Sequence, residues 1–279
     1  MTFRDITERR EAAQAMEKTN AELEERNRAL REFAYIASHD LQEPLRKITA
    51  FADLMREDYE EAVDETGEYY LERMQDAATR MSGLIADLLE YSRVTTRGEP
   101  FEDVNLNTIA QNVRSDLEFR IDDVSGRVEI DDLPTIEADS TQIRQLFQNL
   151  ISNGLKFHRP DEPPVVRLSA RIEERPVADE PDQTLPWCII QVSDNGIGMK
   201  KKYLDRIFLP FKRLHGRSQF EGTGMGLAIC QRIAERHGGA IEVESAPDEG
   251  TIFTIEIPAV RSEMLGDQDD APIKDNIPP

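Results

Sequence analysis

The sequence predicts an α+β protein in two parts. The first is an N-terminal helical hairpin that pairs with a second copy into a four-helix bundle; the second is a C-terminal domain of mixed helix and strand. Three observations carry this. Apolar residues recur at heptad spacing through the first third of the chain, the texture becomes mixed from about residue 101, and glycine-bearing turns follow apolar runs in that second part.

Residues 7–58 read as one long helix. Met16, Leu23 and Leu30 are seven apart, and Ala34, Leu41, Ile48 and Met55 repeat that spacing on the adjoining seam. At 1.5 Å per residue such a helix spans about 75 Å, which no single small domain covers, so it needs a partner helix. The polar stretch "EDYEEAVDETGE", with Gly67, breaks the pattern. Tyr70, Met74, Ala77, Met81, Leu84, Leu88 and Tyr91 then alternate spacings of four and three, a second helix ending near Arg93. A short polar turn between two such helices makes an antiparallel hairpin, whose thin core predicts a homodimer through residues 30–92.

"TTRGEP", residues 95–100, reads as a linker. Beyond it "LNTIAQNVRSDLEFR" is helical, "RVEI" is a short strand, and "DSTQIRQLFQNLISNGLKF" is a helix capped by Asp139 or Ser140. "PPVVRLSARIEE" and "WCIIQVSD" read as strands, with "RPVADEPDQTLP" between them as a surface loop. A helix over 223–237 and a β-hairpin in "GAIEVESAPDEGTIFTIEIP" follow. The acidic, proline-bearing tail reads as disordered. The expected domains are 1–29 (a coiled-coil linker), 30–94 (the helical hairpin), 101–261 (the mixed domain) and 262–279 (the tail).

Net charge is −21, a surface that duplex DNA repels, so nucleic acid is not an expected partner. Most of the 34 basic residues are arginine, and an acidic, lysine-poor surface suits a high-salt interior. No apolar run approaches the roughly 20 residues of a membrane span, and the N-terminus lacks a secretory signal. No membrane contact is expected within this chain. Cys188 and Cys230 lack metal-ligand spacing and read as buried apolar residues of a reducing cytoplasm.

Three clusters carry chemistry. In "QNLISNGLKF", Asn149 and Asn153 share a helix face, with Lys156 three residues on. Amide oxygens suit Mg²⁺ where a triphosphate supplies the negative charge, and a lysine steadies a phosphate as a point charge. In "DNGIGM", Asp194 ends an apolar strand, placed to accept a hydrogen bond from an exocyclic amine, while Gly196 and Gly198 permit a tight turn. In "GTGMGLAI", Gly222, Gly224 and Gly226 lead into a helix N-terminus, an anion site of neither the dinucleotide nor the P-loop pattern. Each cluster alone also fits an ordinary surface turn or helix.

In this order and spacing the clusters resemble the N, G1 and G2 boxes of sensor histidine kinases, with their gyrase-like ATP-binding fold, an α/β sandwich. "FLPFKRLH" resembles the F box, and "SHDLQEPLRKI" resembles the H box on the family's dimerisation and phosphotransfer hairpin. The resemblance covers about residues 20–260 and is nearest in wording to phytochrome-type and PAS-linked kinases. "FRDITERREA" is similar to the exit from a PAS sensory domain.

The resemblance implies ATP and Mg²⁺ as cofactors, autophosphorylation, and transfer to a response-regulator receiver aspartate. It makes His39 the phosphoacceptor and Asp40 its acidic neighbour. Asn153, with Asn149 beside it, would hold Mg²⁺. Lys156 would approach the phosphates, and Asp194 would read adenine with the turn at Gly196 and Gly198. Gly222, Gly224 and Gly226 would shape the end of a lid. Phe208 and Phe211 are lid anchors on this view, or plain core residues.

At 100° per residue His39 points about 160° away from Leu41, outward from the bundle. A neutral imidazole can attack phosphorus, and an adjacent carboxylate can stabilise the charge that develops. Pro44 removes the helical partner of the residue-40 carbonyl and predicts a bend one turn after His39. Two departures stand out. Glu43 occupies the position where many members place the Thr or Asn used in phosphatase chemistry. Gly154 stands where the N box often has Ala, at some cost in helix propensity. Two rivals remain open at this stage: an ATPase of the gyrase or chaperone class, and a scaffold that only dimerises.

Overall fold

The computed structural model describes residues 41–57, 64–96, 98–177, 180–214, 220 and 222–260. His39, Asp40, the helix before residue 41 and the C-terminal tail lie outside the described residues. The chain forms two compact units, one of Met1–Arg97 with Leu209–Ile229 and one of Gly98–Phe208 with Cys230–Pro279.

In the first unit, helix α1 (residues 41–57) continues through Pro44 and runs antiparallel to α2 (Glu65–Thr96). Gln75 donates to Asp53, and Arg56 pairs with Glu68 at 2.8 Å, so the two helices pair as a hairpin. Leu45 and Ala52 on α1 and Leu71 and Ala78 on α2 are buried, seven apart on each helix, and Leu89 and Val94 are buried further along α2. The seam legible in the sequence lies elsewhere. Leu41, Ile48, Met55, Tyr70, Met74 and Met81 are all exposed. Leucines and alanines share the inner seam, and the other large apolar residues form a second stripe that a single chain leaves uncovered.

The second unit holds a five-stranded sheet ordered β2-β4-β5-β7-β6. Its strands are β2 (Arg127–Ile130), β4 (Val165–Val177), β5 (Glu180–Asp194), β6 (Ala240–Ala246) and β7 (Gly250–Pro258). Only β2 and β4 pair in parallel. A small antiparallel pair, β1 (Glu102–Asn105) with β3 (Thr135–Ala138), stands apart. Helices α3 (Leu106–Asp116), α4 (Glu118–Asp123) and α5 (Ser140–Lys156) belong to this unit, and α6 (Gly226–Arg236) enters it at Cys230. The expected helix from Leu106 is interrupted at Leu117, and Asn105 caps its start by accepting from the Thr108 N–H. Asp139 caps α5.

Register explains the core. Cys188, Ile190 and Val192 of β5 oppose Ile257, Ile255 and Phe253 of β7, and Ala170 and Leu168 of β4 oppose Ile190 and Val192. All of these but Ala170 are buried, which makes one apolar face. The expected surface loop "RPVADEPDQTLP" is a correction. Its described residues prolong β4 to Val177 and begin β5 at Glu180, an antiparallel pair that extends beyond β2 and β7 with a register shift at Pro176/Val177. Prolines are tolerated there because each strand has a free edge outside the sheet. Arg175 anchors the hairpin, pairing with Glu256 at 2.9 Å and standing 5.1 Å over the Trp187 ring. Among the described residues no helix is long and apolar enough to cross a membrane.

Candidate functional site

The β5 alternation that buries Cys188, Ile190 and Val192 also sets Asp194 on the same face, at the strand end opposite Val166. Helix α5 crosses this end. A Cβ on Gly154 would lie 2.6 Å from Val166 Cγ2 and 3.2 Å from Asp194 Cβ, so helix and carboxylate approach as closely as a glycine allows. Asp194 accepts from the Gly196 N–H at 2.9 Å and from the Thr251 N–H. Burial outweighs those bonds and pushes its carboxyl up to about 6. At neutral pH it is a charged, half-buried acceptor.

The turn after Asp194 is docked on the end of α5. Ile197 N–H donates to the Phe157 carbonyl at 2.9 Å, and a Cβ on Gly196 would come 2.4 Å from that oxygen. Gly198 takes φ 59°, and a Cβ there would meet the Ala246 carbonyl oxygen at 1.9 Å. Only glycine fits both positions. Asn195 braces the neighbouring loop, accepting from the Val165 N–H at 2.8 Å.

Along α5, Asn149, Asn153 and Lys156 are half-buried. Asn149 hydrogen-bonds the Cys230 thiol, which is buried and pushed up to about 12. Cys230 Sγ also lies 4.0 Å from the Leu146 carbonyl. Cys188 is likewise buried and pushed up to about 12, so both cysteines are packed, inert thiols as expected. Asn153 makes no side-chain hydrogen bond among the described residues. Lys156 Nζ stands 4.5 Å over the Phe157 ring. His158, just beyond, bonds the Leu155 carbonyl at 2.8 Å.

The structure thus brings together Asn149, Asn153, Lys156, Asp194, Gly196 and Gly198 in one unit, with Phe208 half-buried at its margin. Phe211, Gly222, Gly224 and the N-terminus of α6 at Gly226 belong to the other unit. There Phe211 is 50 % exposed with φ 62°, a left-handed conformation that a bulky residue seldom holds, so it is no plain core residue. Gly224 (φ 82°) packs against the Lys212 carbonyl. Arg213, which sequence reasoning missed, donates to the carbonyls of Gly222 (2.8 Å) and Phe220. Thr223 gives its hydroxyl to Asp87 of α2. A lone arginine two residues after the second phenylalanine gives no sequence signal of this bridging.

Comparison with known proteins agrees with this geometry. Residues 138–261 match the model of the histidine kinase-, DNA gyrase B- and HSP90-like ATPase family, and residues 29–97 match the His Kinase A phospho-acceptor domain. Between them they take in more than half of the chain. The phytochrome-like protein Cph1 of Synechocystis sp. is 36 % identical over 258 residues, 92 % of this chain and 32 % of its own length. Cyanobacterial phytochrome A of Nostoc sp. is 38 % identical over 259 residues, 92 % of this chain and 31 % of its own length. The chain therefore spans about a third of these relatives. The solved structure of full-length ShkA in complex with AMPPNP superposes with a TM-score of 0.59 over 81 % of this chain and 45 % of its own; at 23 % identity that likeness shows the fold. With a phospho-acceptor domain followed by a gyrase-like ATPase domain, the chain belongs to the sensor histidine kinase family.

Proposed function

We propose that this chain is the kinase core of a two-component sensor that phosphorylates itself on His39 and passes the phosphoryl group to a receiver aspartate. The observation that carries the reading is Asp194. It is a carboxylate ending an apolar strand row, pressed under Gly154 of the helix that bears Asn149, Asn153 and Lys156. An ionised Asp194 would accept from an exocyclic adenine amine, and Gly196 and Gly198 keep the turn beside it tight. Asn153, which makes no side-chain hydrogen bond among the described residues, and Asn149 would hold Mg²⁺ beside a triphosphate. Mg²⁺ supplies charge neutralisation of the triphosphate there, and Lys156 adds a point charge. ATP use is supported by the family of the second unit.

Transfer breaks the bond between the γ-phosphorus and its bridging oxygen, releases ADP, and forms a phosphorus–nitrogen bond at one His39 ring nitrogen. The other ring nitrogen sheds its proton, with Asp40 as orienting base. Histidine then hands the group to an aspartate carboxylate on the receiver. The exposed stripe of Leu41, Ile48, Met55, Met74 and Met81 supports homodimerisation through the hairpin. A PAS-like sensory domain upstream fits the N-terminal wording, and ATP use fits a cytoplasmic core. Glu43 is tied to Lys47 at 2.7 Å on the helix surface and would repel a phosphoryl-aspartate, so phosphatase activity is weak.

Incubation with ATP·Mg²⁺ labelled in the γ-phosphate tests the reading. A label lost in acid, kept in alkali and absent from His39→Ala is expected. ATP hydrolysis without protein label would instead favour a gyrase- or chaperone-class ATPase.

A further inference from the structure

The residues joining the two units read in sequence as a tether. In the structure Gly98–Phe101 are bound down within the second unit. Glu99 donates its backbone N–H to Asp139 Oδ2 at 2.8 Å, and its carbonyl accepts from Arg236 Nη2 at 3.2 Å. Its carboxylate accepts from the Thr141 hydroxyl at 3.2 Å. The Phe101 ring lies 4.8 Å from the His237 ring, and the Arg236 guanidinium stands 5.2 Å over its face. Gly98 passes so close that a Cβ would sit 1.9 Å from the Arg236 guanidinium carbon.

Asp139 is the junction. It is 1 % exposed, caps α5 by accepting from the Gln142 N–H at 3.1 Å, and pairs with Arg236 at 2.7 Å. Its own N–H donates to His237 Nε2 at 3.2 Å, while His237 Nδ1 bonds the Ile233 carbonyl at 2.8 Å. That pattern requires a neutral ring with its proton on Nδ1, and burial lowers the His237 pKa in the same sense. One buried carboxylate therefore ties together the tether, the start of α5 and the end of α6. A buried carboxylate with three donors holds its partners firmly, because losing one leaves charge uncompensated.

We propose that residues 98–101 are a strap and that Arg236 is the positioning residue that fastens it, so that the pivot toward the phosphoacceptor helix lies before Gly98. This rests on the function proposed above, since the point where the tether departs matters only if this unit delivers a phosphoryl group to His39. Delivery from a tethered donor depends on effective concentration, which falls roughly as the −3/2 power of tether length. Because α2 ends at Thr96, releasing Gly98–Phe101 lengthens the link from one residue to about five, a drop of roughly tenfold on that scaling.

The test uses the full chain and two variants, Arg236→Gln and Phe101→Ala; the second leaves the Asp139–Arg236 pair intact. Three quantities are read: hydrogen exchange of the Glu99 amide, with β5 amides as the folding control; kcat for His39 phosphorylation; and KM for ATP. Both variants should speed Glu99 exchange by about tenfold or more, lower kcat by up to about tenfold, and leave KM within about twofold and β5 protection intact. Arg236→Lys, which keeps the charge and one donor, should recover part of kcat. Unchanged Glu99 exchange would overturn the strap. Released Glu99 with unchanged kcat, or KM rising while kcat holds, would overturn the positioning role. If the wild type itself takes no label on His39, the kinase reading and the positioning role fall together, and Glu99 exchange still decides whether the strap exists.

Discussion

Replacing Gly154 by alanine sets two effects of opposite sign against each other. An alanine in a helix interior is worth about 1 kcal/mol over glycine. Against that, the new Cβ would lie 2.6 Å from Val166 Cγ2, 3.5 Å from Val166 Cγ1 and 3.2 Å from Asp194 Cβ. Overpacking of this kind costs about 1–3 kcal/mol, so the net change is a loss of about 0–2 kcal/mol. The contact with Asp194 adds a functional signature, because a displaced carboxylate should weaken nucleotide binding about fivefold, roughly 1 kcal/mol. Val166→Ala removes both offending methyls at a cost of its own of about 2 kcal/mol. The double variant should then be more stable than the sum of the singles by about 1–2 kcal/mol. Trp187, the only tryptophan, lies on β5 and reports urea unfolding of this unit by fluorescence. Titration with a fluorescent ATP analogue gives the affinity. If Gly154→Ala stabilises by the full 1 kcal/mol or so and leaves affinity unchanged, helix and carboxylate do not touch as described.

Asp194 also predicts a pH dependence. Its folded pKa of about 6 lies above the ordinary carboxylate value, so its contribution to stability declines as pH rises from about 4 to about 6 and is constant above. ATP affinity runs the other way, weakening toward one decade per pH unit below about 6. Asp194→Asn should bind ATP at least about tenfold more weakly at pH 8 and lose that part of the pH dependence, in isothermal titration against the wild type. Asn153→Ala should lower Mg²⁺-dependent ATP affinity by tenfold or more while leaving Mg²⁺-free binding within about twofold, since it removes a cation ligand rather than an adenine contact. A charge in the exposed stripe, Met81→Glu, should shift the chain toward monomer in sedimentation equilibrium without loss of helix by circular dichroism. Pro44→Ala should blunt the response of autophosphorylation to the upstream signal; an unchanged response would show that the proline is a passive part of the helix.

Much of the site was legible because its signals are local. The apolar run in "WCIIQVSD" foretells a strand that ends at Asp194, and helical spacing puts Asn149 and Asn153 together. What escaped depends on partners far away in sequence. The strands Glu102–Asn105 and Thr135–Ala138 are four residues each and mostly polar, so only their mutual pairing reveals them. The hairpin beyond the sheet was masked by prolines and acids that ordinarily mark loops, and free strand edges remove the objection to them. In the helical hairpin the large residues drew the eye to the outer stripe, while the buried positions include Ala52 and Ala78, which carry little hydropathy signal. The strap at Gly98–Phe101 was invisible because Asp139, Arg236 and His237 each look unremarkable in their own stretch of chain.

Phosphorylation of His39 itself can be located directly. The chain is incubated with ATP·Mg²⁺, digested and handled in alkali, and the peptide spanning "FAYIASHDLQEPLRKI" is fragmented by mass spectrometry. A phosphoryl group on His39, absent when Asp194 is replaced by asparagine at limiting ATP, is the expected result. Phosphate on a serine, threonine or another histidine, or ATP turnover with this peptide unmodified, would contradict delivery of the γ-phosphoryl group from the Asp194 site to His39.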